Sequence, residues 1–127
     1  MTPSARPKIL IADDEVYMRR LLEATFRKGG YQCILCQNGE EALREASASP
    51  PDLIVIDVMM PGQDGLATVG QLKLSESTRN IPVIVLSAKG HALTRVHAEQ
   101  AGAALFLTKP FSPTQLLEEV RRILSTA

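Results

Sequence analysis

The sequence carries no net charge, since 14 Lys and Arg balance 14 Asp and Glu. It therefore offers no electrostatic footprint for direct contact with nucleic acid or an anionic membrane. No apolar run approaches the ~18–20 residues needed to span a bilayer. The opening Met1-Thr2-Pro3-Ser4-Ala5-Arg6-Pro7 lacks an apolar signal core. The chain is accordingly expected to stay in the cytoplasm, with residues 1–7 as a flexible lead-in. Cysteine is sparse as well. Cys33 and Cys36 have the spacing of a redox pair or half a zinc site, but zinc needs about four ligands. His91 and His97 lie far along the chain. Tyr31-Gln32-Cys33-Ile34-Leu35-Cys36 reads as a strand, whereas a redox pair should open a helix. Residues three apart on a strand face opposite ways, so both are read as reduced, structural thiols. A Gly-rich phosphate loop is also missing.

What the sequence does hold is an ordinary globular composition, 45% hydrophobic and 22% charged over 127 residues. That length suits one domain with a real core. Lys8 to Ala12 is a short apolar strand that stops at Asp13-Asp14-Glu15. A helix follows to about Lys28, with Met18, Leu21, Leu22 and Thr25 on one face, and Gly29-Gly30 ends it. A second strand spans Tyr31 to about Leu35. Asn38-Gly39-Glu40-Glu41 has a capping-box pattern and starts a short helix through Leu43, and residues 46–51 read as a loop. Leu53-Ile54-Val55-Ile56 is mostly β-branched and continuously apolar, as in a strand buried on both faces. It ends in Asp57, and the turn Pro61-Gly62-Gln63-Asp64-Gly65 comes soon after. Leu66 to Leu74 is helical, with Leu66, Val69 and Lys73 spaced along it, and 75–80 is a polar loop. Ile81 to Ser87 is another buried strand, Ala92 to about Gln100 a weakly amphipathic helix. Ala104 to Thr108 is the fifth strand, ending at Lys109-Pro110. Ser112, Pro113 and Gln115 then supply the start of a last helix striped with Leu116, Leu117, Val120, Ile123 and Leu124.

Strand and helix thus alternate five times, which predicts a doubly wound α/β fold with a five-stranded parallel sheet between helices. In such a sheet all the carboxyl ends lie on one edge, where ligands bind. Four of the five strands end there in useful groups: Asp13 and Asp14, Asp57, Ser87 and Lys109. Any one could be a turn or helix-start residue. Together they form a constellation. Converging carboxylates repel and call for a cation. A few carboxylates completed by water suit Mg²⁺. A fixed ammonium and a hydroxyl beside them can clamp a phosphoryl group while a carboxylate oxygen attacks phosphorus.

On these residues the chain resembles a response-regulator receiver domain, the phosphoacceptor module of two-component signalling. The matching stretches are Ile9 through Glu15, Asp57-x-x-Met60-Pro61-x-x-Asp64-Gly65, Leu86-Ser87-Ala88 and Lys109-Pro110-Phe111. The resemblance covers nearly all of residues 8–125, expected to be the receiver domain. It implies the flavodoxin- and CheY-like strand order 2-1-3-4-5. It makes Asp57 the residue phosphorylated, from a phosphohistidine on a sensor histidine kinase or a histidine phosphotransfer protein. Asp14, Asp57 and the Met59 backbone carbonyl should ligate Mg²⁺, with Asp13 acting through water. Ser87 and Lys109 should contact the phosphoryl oxygens, and the bond to Pro110 should be cis. Ser87 and Phe106 occupy the switch positions. Phe106 has no hydroxyl, so a signal through it must rest on ring burial, and plain core packing would explain it too. Met59 and Lys89 stand where the family flanks the approach of attacking water.

The expected role is regulatory: the domain takes part in its own phosphorylation and slow dephosphorylation, and controls a downstream protein through the fourth helix, fifth strand and fifth helix. A haloacid-dehalogenase-type phosphatase would want its nucleophile after the first strand as Asp-x-Asp, whereas here Asp13 and Asp14 are adjacent. A flavin carrier would want a hydroxyl- and Gly-rich loop there. An interaction scaffold that is never phosphorylated would not need the intact acceptor set. Transcription-factor receivers of the winged-helix class usually dimerise through charged pairs on the output face. Here Ala104 and Leu105 replace the usual acids and Glu119 stands in place of arginine, so a monomer or weak dimer is expected. The polar end at Ser125-Thr126-Ala127 suits a stand-alone receiver as well as one cut from a longer protein.

Overall fold

The structure is a computed structural model that describes residues 6–60, 64–88 and 92–125, with backbone alone at 92 and 93. The expected lead-in residues 1–5, turn residues 61–63, Lys89, His91 and residues 126–127 lie outside the described residues. Strands and helices alternate as β1 (Lys8–Ala12), α1 (Val16–Lys28), β2 (Gln32–Cys36), α2 (Gly39–Ala48), β3 (Leu53–Asp57), α3 (Gly65–Leu74), β4 (Val83–Ser87), α4 (Ala92–Ala101), β5 (Leu105–Thr108) and α5 (Pro113–Ser125). Every strand pairing is parallel, and the order is β2-β1-β3-β4-β5. This is the doubly wound fold, with its topological switch point between β1 and β3.

Alternation along each strand divides the core in two. Leu10, Ile54, Ile56, Val83 and Val85 pack with Ala42, Ala46, Val69, Leu72 and Ala98 of α2, α3 and α4. Ile9, Ile11, Val55, Ile84 and Leu86 face the other way, onto Leu22, Phe26, Leu116 and Val120 of α1 and α5. Each fully buried side chain of this size contributes about 1.5–3 kcal/mol over its exposed state. The central strands β3 and β4 are buried at every residue, whereas edge strand β2 is partly open. Cys33 packs beside the α1–α5 core and Cys36 lies in the other one, and both thiols are free.

Local chemistry sets the helix ends. The Asn38 side chain accepts the Glu41 N–H at 2.8 Å, Asp64 accepts that of Ala67 at 2.8 Å, and Ser112 accepts that of Gln115 at 3.2 Å. Gly30 (φ +94°) and Gly102 (φ +106°) follow α1 and α4 in the left-handed region that favours glycine.

Some boundaries and faces differ from the sequence reading. Helix α2 continues to Ala48, because alanine has the best helix propensity and Ala46 is buried. Strand β4 begins at Val83, although the Pro82 carbonyl still accepts the Ile54 N–H at 3.0 Å. The buried stripe of α1 is Leu22, Thr25 and Phe26, with Met18 and Leu21 at its margin. On α3 it is Gly65, Thr68, Val69 and Leu72, because that helix packs against both α2 and α4.

Candidate functional site

The parallel register aligns the ends of four strands. Asp13 follows β1 directly, Asp57 is the last residue of β3, Ser87 the last of β4, and Lys109 follows β5. Asp13, Asp57 and Ser87 are at most 4% exposed, while Asp14 is open to solvent. The Lys109 N–H donates to the Ser87 carbonyl at 2.7 Å, continuing the β4–β5 ladder by one step, and the Lys109–Pro110 peptide is cis. After β3 the chain is held by the Val58 N–H on the Leu86 carbonyl (2.9 Å) and the Gly65 N–H on the Val58 carbonyl (2.9 Å). A Cβ on Gly65 would lie 2.2 Å from the Asp57 carbonyl oxygen, so only glycine lets α3 start this close to the aspartate.

The Lys109 ammonium sits between two of the carboxylates, 3.1 Å from Asp13 Oδ2 and 3.1 Å from Asp57 Oδ1. Burial alone would lower Lys109, but the hydrogen bond to Asp13 and the charges of Asp57 and Asp13 hold it above its usual value. Burial pushes Asp57 up from an ordinary 3.8 to about 6, against the opposing charge of Lys109 and with Asp13 and Asp14 adding to the rise. The site therefore holds more negative charge than one lysine offsets. Oxygens of Asp13, Asp14 and Asp57 all lie within 4.8 Å of one another. Oxygens bound to one Mg²⁺ are roughly 2.9 Å apart when adjacent and ~4.2 Å when opposite. An all-oxygen, acidic donor set at this spacing fits a hard divalent cation. Beside it lies a cleft of about 270 Å³ lined by Asp14, Glu15, Asp57, Met59, Ala88 and Lys109. A larger cleft of about 410 Å³ between α1 and α5 carries no carboxylate in its lining and is unconnected with this chemistry.

The structure brings Asp13, Asp14, Asp57 and Lys109 together and places Ser87 at the adjacent strand end. Met59 lines the cleft and is 63% exposed. Phe106 lies in the α2–α3–α4 core, 4% exposed, with the Arg95 guanidinium carbon 4.9 Å from its ring centroid. One participant escaped the sequence reading: Arg19 Nη1 donates to the Asp13 carbonyl at 2.7 Å. Helical side chains lean back toward the N-terminus, so an arginine near the start of α1 was a candidate. Neighbouring Arg19 and Arg20 could not be told apart without the helix's rotation.

Fold and site together define a doubly wound α/β domain with an acidic, lysine-bridged site at the carboxyl edge of its sheet. Residues 9–121 match the family described as the response regulator receiver domain. The chain belongs to that family, and it is a phosphoacceptor signalling domain of two-component response regulators. It is 36% identical over 116 residues to the phosphate regulon transcriptional regulatory protein PhoB of Pseudomonas aeruginosa, covering 91% of this chain and 51% of that one. It is 39% identical over 117 residues to the alkaline phosphatase synthesis transcriptional regulatory protein PhoP of Bacillus subtilis, covering 92% and 48%. The chain thus spans about half the length of the curated relatives it matches. Among solved structures, it is similar to the receiver domain of the Pseudomonas aeruginosa sensor histidine kinase PA1611, with a TM-score of 0.89 and 30% identity over 95% of this chain and 99% of that one. That receiver holds a magnesium ion coordinated in its active-site cleft. No helix among the described residues is long and apolar enough to cross a membrane.

Proposed function

We propose that Asp57 is the phosphoacceptor, and that residues 8–125 form the receiver unit, working in the cytoplasm. The observation that carries this reading is the Asp57 carboxylate, buried at a strand end, 3.1 Å from Lys109 and within a cluster of two further acids. An Asp57 oxygen attacks phosphorus of a phosphohistidine on a sensor histidine kinase or phosphotransfer protein. The new P–O bond makes an acyl phosphate as the P–N bond breaks, and the imidazole leaves with the electron pair and takes up a proton. Lys109 neutralises a phosphoryl oxygen and the Ser87 hydroxyl hydrogen-bonds another. Asp13, Asp14, Asp57 and the Met59 carbonyl would hold Mg²⁺, Asp13 through water. When bound, the ion supplies charge neutralisation at the phosphoryl oxygens.

Phosphorylation then biases a pre-existing equilibrium at Ser87 and Phe106, altering the α4–β5–α5 face for a protein partner. Ala104 and Leu105 supply no charge on that face, and Glu119 is already engaged by Arg122 on its own helix. This supports a monomer or weak dimer. The test is acetyl phosphate with Mg²⁺, followed by intact-mass spectrometry. One added phosphoryl is expected, absent with chelator and in Asp57→Asn. Unchanged labelling of that variant would refute the assignment.

A further inference from the structure

Asp13 is held from four directions. Its N–H donates to the Cys36 carbonyl of β2 at 3.1 Å. Its Oδ1 accepts the Glu15 N–H at 2.9 Å, and its Oδ2 accepts from Lys109 at 3.1 Å. Its carbonyl oxygen accepts from Arg19 at 2.7 Å. The first two contacts use backbone N–H groups, and the third comes from a residue already in the site. Of the two side chains that hold Asp13, Lys109 lines the cleft, and Arg19 reaches in from outside that lining, across the turn between β1 and α1.

That carbonyl belongs to the planar peptide whose nitrogen is that of Asp14. Fixing its oxygen fixes the plane, and with it the backbone from which Asp14 projects. Asp14 is exposed and lies on a turn, so its side chain lacks the enclosing walls that hold Asp57. A guanidinium–carbonyl hydrogen bond is charge-assisted and short, which suits it to hold such a turn.

We propose that Arg19 is a positioning residue for cation binding: its hydrogen bond to the Asp13 carbonyl orients Asp13 and Asp14 toward a shared Mg²⁺. This rests on the cation reading above. The sign of the effect separates it from simple electrostatics. The positive charge of Arg19 near the acids opposes a divalent cation, so if Arg19 acted only through its field, its removal would tighten Mg²⁺ binding. If Arg19 positions the acids, its removal weakens binding.

The test is titration of the ¹⁵N-labelled chain with MgCl₂, following backbone amide shifts around the acid cluster. Wild type is compared with Arg19→Ala, Arg19→Met, Arg19→Lys and Arg20→Ala, with circular dichroism confirming the fold. Groups that hydrogen-bond to the ligands of a metal are typically worth 10–100-fold in affinity. Arg19→Ala and Arg19→Met should bind Mg²⁺ about tenfold more weakly, at the lower end of that range. Arg19→Lys, which keeps a cationic N–H donor, should recover most of the loss, and Arg20→Ala should show none. The rate of labelling by acetyl phosphate should return toward wild type at saturating Mg²⁺, with only the half-saturating concentration displaced. A general loss of stability would not move the affinity of the folded protein in this way. Should Arg19→Ala fail to fold, Arg19→Met and Arg19→Lys carry the comparison. Binding as tight as wild type, or tighter, in the folded Ala or Met variant overturns the role of Arg19. Absence of saturable Mg²⁺ binding in wild type would instead remove the cation reading, and the Arg19 role with it.

Discussion

Along β3, Leu53 to Ile56 are apolar and at most 1% exposed, and the next residue, Asp57, is a carboxylate at 4%. The same contrast recurs on β1, where Ala12 gives way to Asp13, and on β4, where Leu86 gives way to Ser87. Burial is nearly equal on the two sides of each boundary, but its energetic meaning reverses. In the strand interiors it removes apolar surface from water and stabilises the fold. At the last residues it separates charged and polar groups from water, a cost that Lys109 offsets only in part, as the raised Asp57 shows. Stability and the proposed chemistry thus fall on consecutive residues of the same strands. Substitutions on the two sides should therefore behave as opposites.

The largest effect belongs to the interior. Phe26 is fully buried beneath the sheet and packs edge-on against Tyr31 with ring centroids 6.4 Å apart. Phe26→Ala should cost about 3–5 kcal/mol in urea unfolding. The folded fraction should still take up a phosphoryl group. A loss below 1 kcal/mol, or labelling abolished in folded protein, would blur the contrast.

Much of this division was legible beforehand. The strand ends Asp13, Asp14, Asp57, Ser87 and Lys109 could be read because apolar runs in a parallel sheet announce where they stop. Phe26 was missed although it lies four residues beyond Leu22, because Thr25 took its place in the apolar stripe. Lys73 was read as part of the helix pattern of α3. Its ammonium turns inward to donate to the carbonyls of Arg79 (3.1 Å) and Ile81 (2.8 Å), and burial lowers its pKa. Tertiary carbonyls placed by the following loop decide that orientation, and the local pattern does not encode them. The reach of Arg19 was hidden because the rotation of α1, which separates it from Arg20, is set by packing on the sheet.

Next in size is the edge itself. An acid whose folded pKa is raised binds more protons folded than unfolded, so stability falls as pH rises from about 4 to about 6 and then levels off. Without divalent cation, Asp57→Asn should remove that slope and be more stable than wild type by on the order of 2 kcal/mol at pH 7.5. Urea midpoints at pH 4 and pH 7.5 check this. A variant less stable than wild type at pH 7.5 would mean that burial of Asp57 carries no such penalty.

Smaller effects are expected away from both regions. Exposed ion pairs are worth only ~0–1 kcal/mol each, and Ala104 and Leu105 bring no charge to such pairs on the α4–β5–α5 face. Size-exclusion chromatography with light scattering, on protein activated by beryllofluoride and Mg²⁺, should therefore show a monomer or weak self-association. A tight activation-dependent dimer disrupted by Glu119→Arg would show that this face carries a self-interface.

Met59 extends from the cleft rim just past the end of β3. As a bulky apolar group it should impede attacking water more than an amide would. Met59→Asn should accelerate dephosphorylation by less than about tenfold, under ~1.4 kcal/mol in barrier, and leave stability alone. An unchanged or slower rate, read by loss of the phosphorylated mass over time, would contradict this.

The central claim is that the buried carboxylate ending β3 is the reacting group. Reductive trapping tests it most directly: the chain is labelled with acetyl phosphate and Mg²⁺, treated with borohydride, digested and sequenced by tandem mass spectrometry. An acyl phosphate is reduced to the alcohol, so homoserine should replace aspartate at position 57 and at neither Asp13 nor Asp14. Homoserine at either of those two positions, or a phosphoryl group that resists reduction and maps to a hydroxyl, would contradict it.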